Sequence, residues 1–254
     1  MTYALDLGGR RALVTGAGQG VGRGIALALA EAGAEVVVND LDGDRAAAVA
    51  DELGGSATTA VFDVTDHDAV RAAIGGLGVD VLVNNAGNAG AEGWGGLDRF
   101  VDTWPGAWEP YLQVNLYGVL HCCHAVLPGM IERGDGRIIT IVSDAARAGE
   151  AGMAVYSAAK AGAAGLMRAL AVETGRHGIT VNSIALGTMR TPLSEPFWAE
   201  PDEDRVKALL SRYVVRRPGL PEDVGALAVF LASPQASWIT GQTYPLNGGA
   251  SFAL

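Results

Sequence analysis

Arg11-Ala-Leu-Val-Thr15-Gly16-Ala17-Gly18-Gln19-Gly20-Val21-Gly22 runs from an apolar stretch into a glycine-rich turn, and an Ala-rich segment continues to residue 33. That order reads as strand, tight turn and helix. Glycines let the chain turn sharply and approach a pyrophosphate, which the free N–H groups and dipole of a helix N-terminus attract. Glycines stand at 16, 18, 20, 22 and 24, so the strict G-x-G-x-x-G spacing is absent. A tight turn with no ligand would look the same.

Outward from this turn the alternation repeats. Short β-branched runs at Arg11–Thr15, Glu35–Asn39, Thr58–Asp63, Val79–Asn84, Arg137–Ser143, Thr180–Ile184 and Gln242–Leu246 predict strands. Helical patterns lie between them at 20–33, 43–53, 66–75, 106–133, 155–176 and 222–233. Repeated β-α-β order predicts an α/β fold: one doubly wound parallel sheet of about seven strands with helices on both faces. The 254 residues suit a single domain, 1–254, and no linker or repeat divides them. Two segments break the rhythm: Asn88–Trp108, rich in Gly and Trp, and Thr191–Pro218, with several prolines and a short helical pattern near Glu203–Arg212. Ligands bind outside the carboxyl ends of the strands in open α/β sheets, so these segments are expected to enclose a substrate, the second (about 191–218) as a lid.

A net charge of −10 and a pI near 4.8 argue against nucleic-acid or anionic-membrane partners and for a small-molecule ligand. The two cysteines, Cys122 and Cys123, are adjacent and supply no disulfide framework. Met1–Arg10 lacks the pattern of a secretory leader, and no run of ~18 apolar residues is evident. The expectation is a cytoplasmic protein.

Asp40 closes the second strand, where a carboxylate can accept hydrogen bonds from ribose hydroxyls and repel a 2′-phosphate. With Gln19 in the turn and no Arg or Lys expected beside Asp40, NAD is favoured over NADP. A helix cap or solvated turn is the plainer role for Asp40. Tyr156 and Lys160, at i and i+4, share one helix face, and the ammonium is expected to lower the phenol pKa. Ser143 ends an apolar strand 13 residues earlier, where its hydroxyl can meet a substrate oxygen. Asn115 lies on a mostly apolar helix as a holder of a proton-relaying water or a satisfied core amide.

Taken in order, Thr15-Gly-x-x-x-Gly20-x-Gly22, Asp40, Asp63-Val64, Asn84-Asn85-Ala86-Gly87, Asn115, Ser143, Tyr156-x-x-x-Lys160 and Thr191 resemble the short-chain dehydrogenase/reductase family along nearly the whole chain. Gly219-x-Pro221-Glu222-Asp223-Val224 and Thr240-Gly241-Gln242…Gly248-Gly249 are similar to its C-terminal part. The resemblance implies a Rossmann fold and an NAD cofactor held by Gly16, Gln19, Gly20, Val21, Gly22, Asp40 and Leu41. It places Asp63 and Val64 near the adenine, Asn85, Ala86 and Gly87 beside the cofactor, and Gly187, Met189 and Thr191 around the carboxamide. It further implies hydride transfer between an alcohol and a ketone, with Tyr156 as the proton-transfer residue, Ser143 orienting the oxygen, Lys160 supporting Tyr156 and the ribose, and Asn115 sustaining a water link. No metal is required, and assembly as a homodimer or homotetramer is expected. One departure is Leu186-Gly187, where the family usually has Pro-Gly; it removes a fixed φ and adds a backbone donor.

His121-Cys-Cys-His124 invites a metal, yet successive helical residues fan through about 300° and cannot converge on one ion; a subunit interface is the preferred reading. Trp108 reads as packing, Trp94 in its Gly-rich loop as a candidate substrate contact or an ordinary loop residue, and Phe197 with Trp198 as an apolar lid or as a local cluster. Ser143-Asp-Ala-Ala-Arg147 and His124–Glu132 resemble dehydrogenases of alicyclic hydroxyacyl thioesters, the 2-hydroxycyclohexanecarboxyl-CoA type, with Arg147 meeting a phosphate or simply lying on the surface. A 3-oxoacyl reductase or an unrelated secondary alcohol dehydrogenase fits too. A non-catalytic dinucleotide sensor or a structural subunit would use the same fold, but neither needs Ser143, Tyr156 and Lys160 together.

Overall fold

The computed structural model of the protein describes residues 5–55, 57–88, 99–199 and 203–252. Its strands are β1 (Arg11–Val14), β2 (Glu35–Val38), β3 (Ala57–Thr59), β4 (Val81–Asn84), β5 (Gly136–Ser143), β6 (Ile179–Leu186) and β7 (Thr243–Leu246). They form one parallel sheet in the order β3-β2-β1-β4-β5-β6-β7. The helices are α1 (Gly20–Glu31), α2 (Gly43–Leu53), α3 (His67–Ile74), α4 (Glu109–Leu112), α5 (Gly118–Arg133), α6 (Ala145–Ala148), α7 (Ala154–Thr174), α8 (Glu195–Ala199), α9 (Glu203–Ser211) and α10 (Pro221–Ala232).

Successive strand residues face opposite sides, and both sides are apolar here. Ala12 and Val14 of β1 pack with Ile25 and Leu29 of α1 and Val224 and Ala228 of α10. Leu13 faces the other layer, with Val70 of α3, Met130 of α5 and Met167 of α7. The order reverses between β1 and β4, and such a switch point opens a crevice at the carboxyl ends of the strands.

Several expectations need correction. β3 stops at Thr59 rather than Asp63, because Asn39 Nδ2 donates to the carbonyls of Ala60 (2.9 Å) and Phe62 (3.0 Å) and pulls the chain out of the ladder. The helix expected over 106–133 is broken: a π turn, Gln113–Tyr117, separates α4 from α5. Within it Asn115 Nδ2 donates to the Tyr111 carbonyl at 3.0 Å, competing with the backbone at the point where the helix widens. By length and composition alone Pro105–Arg133 would be long and apolar enough to cross a bilayer. Its apolar residues Val119, Val126 and Met130 nevertheless pack in the core against the sheet. Cys122 and Cys123 join that core, so the chain's own interior covers them rather than a neighbouring subunit, and burial pushes both thiols up. His121 instead turns to the Val64 carbonyl (Nδ1 to O, 2.9 Å) and meets the His67 ring edge-on.

Candidate active site

A cleft of about 660 Å³ runs along the carboxyl ends of the strands, from Asp40 at the end of β2 to Arg212 beyond α9. At one end the glycine turn is shaped by Gly16 (φ 61°) and Gly20 (φ 56°), a backbone region that side chains disfavour. A Cβ on Gly22 would sit 2.3 Å from the Gly16 carbonyl oxygen and 2.4 Å from Asn85 Nδ2. Gly20 and Gly22 therefore build the turn without lining the cleft, whereas Gly16, Gln19 and Val21 line it. Gln19 precedes α1 without a side-chain cap, which leaves the first-turn N–H groups to a ligand.

Asp40 is nearly buried and lines the cleft beside exposed Leu41. Its Oδ2 accepts the Gly18 N–H at 3.0 Å, tying the turn to β2. Its Oδ1 accepts the Asp42 N–H (3.0 Å) and, against expectation, the Arg45 guanidinium (2.8 Å). Asp42, not Asp40, caps α2, and that cap starts the helix whose first turn swings Arg45 back. Asp63 and Val64 line the same end, with Asp63 Oδ1 accepting both the N–H and the hydroxyl of Thr65 at 2.8 Å. Thr15 entered the sequence motif without a role of its own, and its buried Oγ1 accepts the N–H groups of Asn85 and Ala86 at 3.0 Å. That bond and the Asn85 side chain, donating to the Thr15 and Gly16 carbonyls, lock Asn85, Ala86 and Gly87 along the cleft wall.

Past this wall Ser143, at the end of β5, and Tyr156 of α7 line the cleft together, with the Ser143 hydroxyl placed to favour the ionised form of the phenol. Lys160, one turn on, is 4% exposed and donates to the Ile141 carbonyl at 2.9 Å, with Nζ 5.9 Å from the centre of the Tyr156 ring. Burial lowers its pKa to about 8. Burial also pushes the Tyr156 hydroxyl up, and the nearby Ser143 hydroxyl opposes that rise. The lowered phenol expected from Lys160 is thus not what this arrangement gives. Asn115 is wholly buried behind the cleft rather than in it. Its amide donates to the Asn88 carbonyl at 2.7 Å and accepts the Asn88 N–H at 3.2 Å, so the side chain is satisfied as a loop anchor. A Cβ on Gly87 would lie 3.2 Å from both Asn115 Oδ1 and Lys160 Nζ.

Comparison with known proteins decides the family. The sequence profile described as enoyl-(acyl carrier protein) reductase matches residues 16–251. The (2S)-[(R)-hydroxy(phenyl)methyl]succinyl-CoA dehydrogenase subunit BbsD of Thauera aromatica is 39% identical over 95% of this chain and 96% of its own length. The 7alpha-hydroxysteroid dehydrogenase of Escherichia coli is 38% identical over 96% and 95%. A gluconate 5-dehydrogenase from Burkholderia cenocepacia, solved in complex with NADP and tartrate, superposes with a TM-score of 0.90 at 35% identity, covering 98% of each chain. The chain belongs to the short-chain dehydrogenase/reductase family. As such it is an oxidoreductase of alcohol- and ketone-type substrates that binds a nicotinamide dinucleotide.

In this short-chain dehydrogenase/reductase Leu186 extends β6, in register with Ser143 on one side and Leu246 on the other, so the position that usually carries proline sits inside the sheet. Gly187, Met189 and Thr191 follow it along the cleft. The far wall is formed by Met153, Leu193, Leu209 and Tyr213, none of which the sequence singled out. Phe197 and Trp198 do not line it; they meet edge-on at 4.8 Å, and Trp198 Nε1 donates to Ser194 Oγ, so the local-cluster reading holds. Trp108 stacks on Phe100 and donates to Thr103, as packing predicts. Trp94 lies outside the described residues. Arg147 is engaged with Asp144 (2.7 Å), Ser251 and the Phe252 carbonyl, clamping the C-terminal segment beside Ser143 rather than facing outward for a phosphate.

Proposed function

We propose that the protein is an NAD-dependent dehydrogenase interconverting a secondary alcohol and its ketone, with Tyr156 moving the proton at the substrate oxygen. The observation that carries this reading is that Ser143, Tyr156 and Lys160, the last beside the Tyr156 ring, line the same cleft as the glycine turn and Asp40. The turn's open backbone and uncapped helix start fit a dinucleotide pyrophosphate. Gly16, Gln19 and Val21 would hold the pyrophosphate, Asp40 and Leu41 the adenosine ribose, and Asp63 and Val64 the adenine. Asn85, Ala86 and Gly87 would flank its middle, and Gly187, Met189 and Thr191 the nicotinamide. When bound, the nicotinamide takes up or delivers the hydride.

The residues then divide the proton work. In oxidation the Tyr156 phenolate accepts the hydroxyl proton, while the Ser143 hydroxyl holds the substrate oxygen. Lys160, held beside the Tyr156 ring by the Ile141 carbonyl, would reach the ribose. Asn115 keeps the route from Lys160 toward solvent by fixing the Asn88 backbone. Reduction returns the proton along the same path. The far wall of Met153, Leu193 and Leu209 favours a substrate with an apolar body. A second reading, an alicyclic hydroxyacyl thioester, is favoured by the 39% identity to the succinyl-CoA dehydrogenase subunit, though Arg147 is then not its phosphate partner. In either case the segment 191–218 serves as a lid, and the enzyme assembles with copies of itself.

Absorbance of reduced nicotinamide tests this, with secondary alcohols and alicyclic hydroxyacyl thioesters offered in turn with NAD and NADP. Turnover with NAD is expected to exceed that with NADP by roughly tenfold or more in kcat/KM, about 1.4 kcal/mol of discrimination. Asp40→Ala should narrow the gap, because it removes the repelling carboxylate and frees Arg45 for a 2′-phosphate. An unchanged ratio would remove Asp40 from the ribose site, and binding of neither cofactor would overturn the whole reading.

A further inference from the structure

Between β6 and α10 the chain makes a long excursion whose helices α8 and α9 contribute no residue to the fully buried core clusters. Its position must therefore rest on specific bonds. Two of these come from consecutive residues just past α9, and they reach opposite walls of the cleft. Arg212 makes a bidentate pair with Glu150 (2.8 and 3.2 Å), in the loop that precedes α7 and Tyr156. Tyr213 is 8% exposed; its hydroxyl accepts the Thr188 N–H at 2.9 Å and donates to Thr188 Oγ1 at 2.7 Å. Thr188 lies between Gly187 and Met189, in the loop leaving β6. The Tyr213 ring is seated between two glycines: a Cβ on Gly187 would come within 3.1 Å of it, and one on Gly248 within 3.2 Å.

We infer that Arg212 and Tyr213 are positioning residues, a two-point clamp in which Arg212 sets the substrate wall and Tyr213 sets the loop 187–191. The division follows from what each touches. A buried hydroxyl satisfied by one backbone N–H and one side chain fixes a backbone position closely, and losing it leaves the Thr188 N–H without that acceptor. A bidentate guanidinium–carboxylate pair is directional but half-exposed, so it sets the distance across the mouth while remaining open to exchange. Because Arg212 is matched by Glu150, the mouth offers a substrate no uncompensated cation at that point. The assignment of loop 187–191 to the cofactor rests on the function proposed above; the clamp itself does not.

Two measurements on the full chain separate these levels. In limited trypsin digestion read by mass, Tyr213→Phe and Arg212→Met should each speed cleavage after Arg205 and Lys207 of α9 several-fold, whatever the protein binds. Unchanged cleavage in both overturns the clamp. By fluorescence titration and steady-state kinetics, Tyr213→Phe should weaken NADH binding roughly tenfold while moving the alcohol KM less than about twofold. Arg212→Met should do the reverse, and the charge-swapped pair Glu150→Arg with Arg212→Glu should restore the alcohol KM. Both constants moving together in both variants, or no rescue by the swap, overturns the division of labour. Failure of the unsubstituted protein to bind NADH counts against the functional reading, and the digestion then judges the clamp alone.

Discussion

At the end of the cleft under β1 and β2, each turn is tied by bonds that reach between elements: Gly18 to Asp40, Asn85 and Ala86 to Thr15, and Asn39 to the exit of β3. At the end beyond Ser143, an apolar wall comes from Met153, the turn residue Leu193 and Leu209 of α9, and this end is held by Arg212–Glu150, Tyr213–Thr188 and the backbone bond from Val215 to Gly248. The first end sits directly on the strand ends, where loops that leave β1, β2 and β4 are cross-linked to one another. The second is an insertion whose geometry depends on a few side chains that can be exchanged without disturbing the core. A cofactor site shared across a family and a substrate site that varies within it call for that contrast.

The largest effect should come from separating the chemistry from both ends. Tyr156→Phe removes one hydroxyl from a site otherwise intact, and kcat is expected to fall by about 10³-fold while NADH affinity stays within about twofold. Single-turnover kinetics alongside a binding titration checks this. Turnover near that of the unsubstituted enzyme would require another proton carrier.

Gly22→Ala attacks the rigid end at its tightest point, since the new methyl would lie 2.3 Å from a carbonyl oxygen held by the turn. A loss of about 3 kcal/mol in stability is expected, together with weakened cofactor binding, because the strand–turn–helix unit cannot yield without moving Gly16 and Asn85. Urea titration reads the first and NADH fluorescence the second. A methyl absorbed without cost would mean that the turn is as adaptable as the far wall, and the contrast would collapse.

The same contrast explains what the sequence disclosed. The succession of strands and helices and the pairing of Tyr156 with Lys160 were legible because they follow from period: alternating residues such as Ala12, Leu13 and Val14 feed two layers, and Tyr156 and Lys160 lie one turn apart. Asp40 lies in the cleft just past β2, where the chain order put it, but its neighbour was missed. Arg45 reaches it only because Asp42 caps α2, a signal that stood in Asp42-Gly43-Asp44-Arg45. Asn115 was found as a costly amide, yet the partner that satisfies it, the Asn88 backbone 27 positions away, is one that no local pattern contains. Tyr213–Thr188 and Glu150–Arg212 join residues 25 and 62 positions apart in an insertion, beyond the reach of periodicity. Phe197 and Trp198 were tempting as the largest apolar groups there, and they satisfied one another instead.

Lys160 stands where the two ends meet, and its burial yields the smallest and most diagnostic effect. Its folded pKa, about 8, lies below the usual lysine value of 10.5, so between those pH values the unfolded chain binds more protons than the folded one. Folding stability contributed by this group therefore rises with pH across that window, and below pH 8 the buried cation imposes its full cost. Between pH 8 and 10 the unsubstituted protein should gain about 2 kcal/mol relative to Lys160→Met, measured by urea unfolding without cofactor at each pH. Parallel curves would mean that the ammonium is better solvated than its place beneath Ile141 and Gly87 implies, and that the rigid end of the cleft opens to water at its junction with the substrate wall.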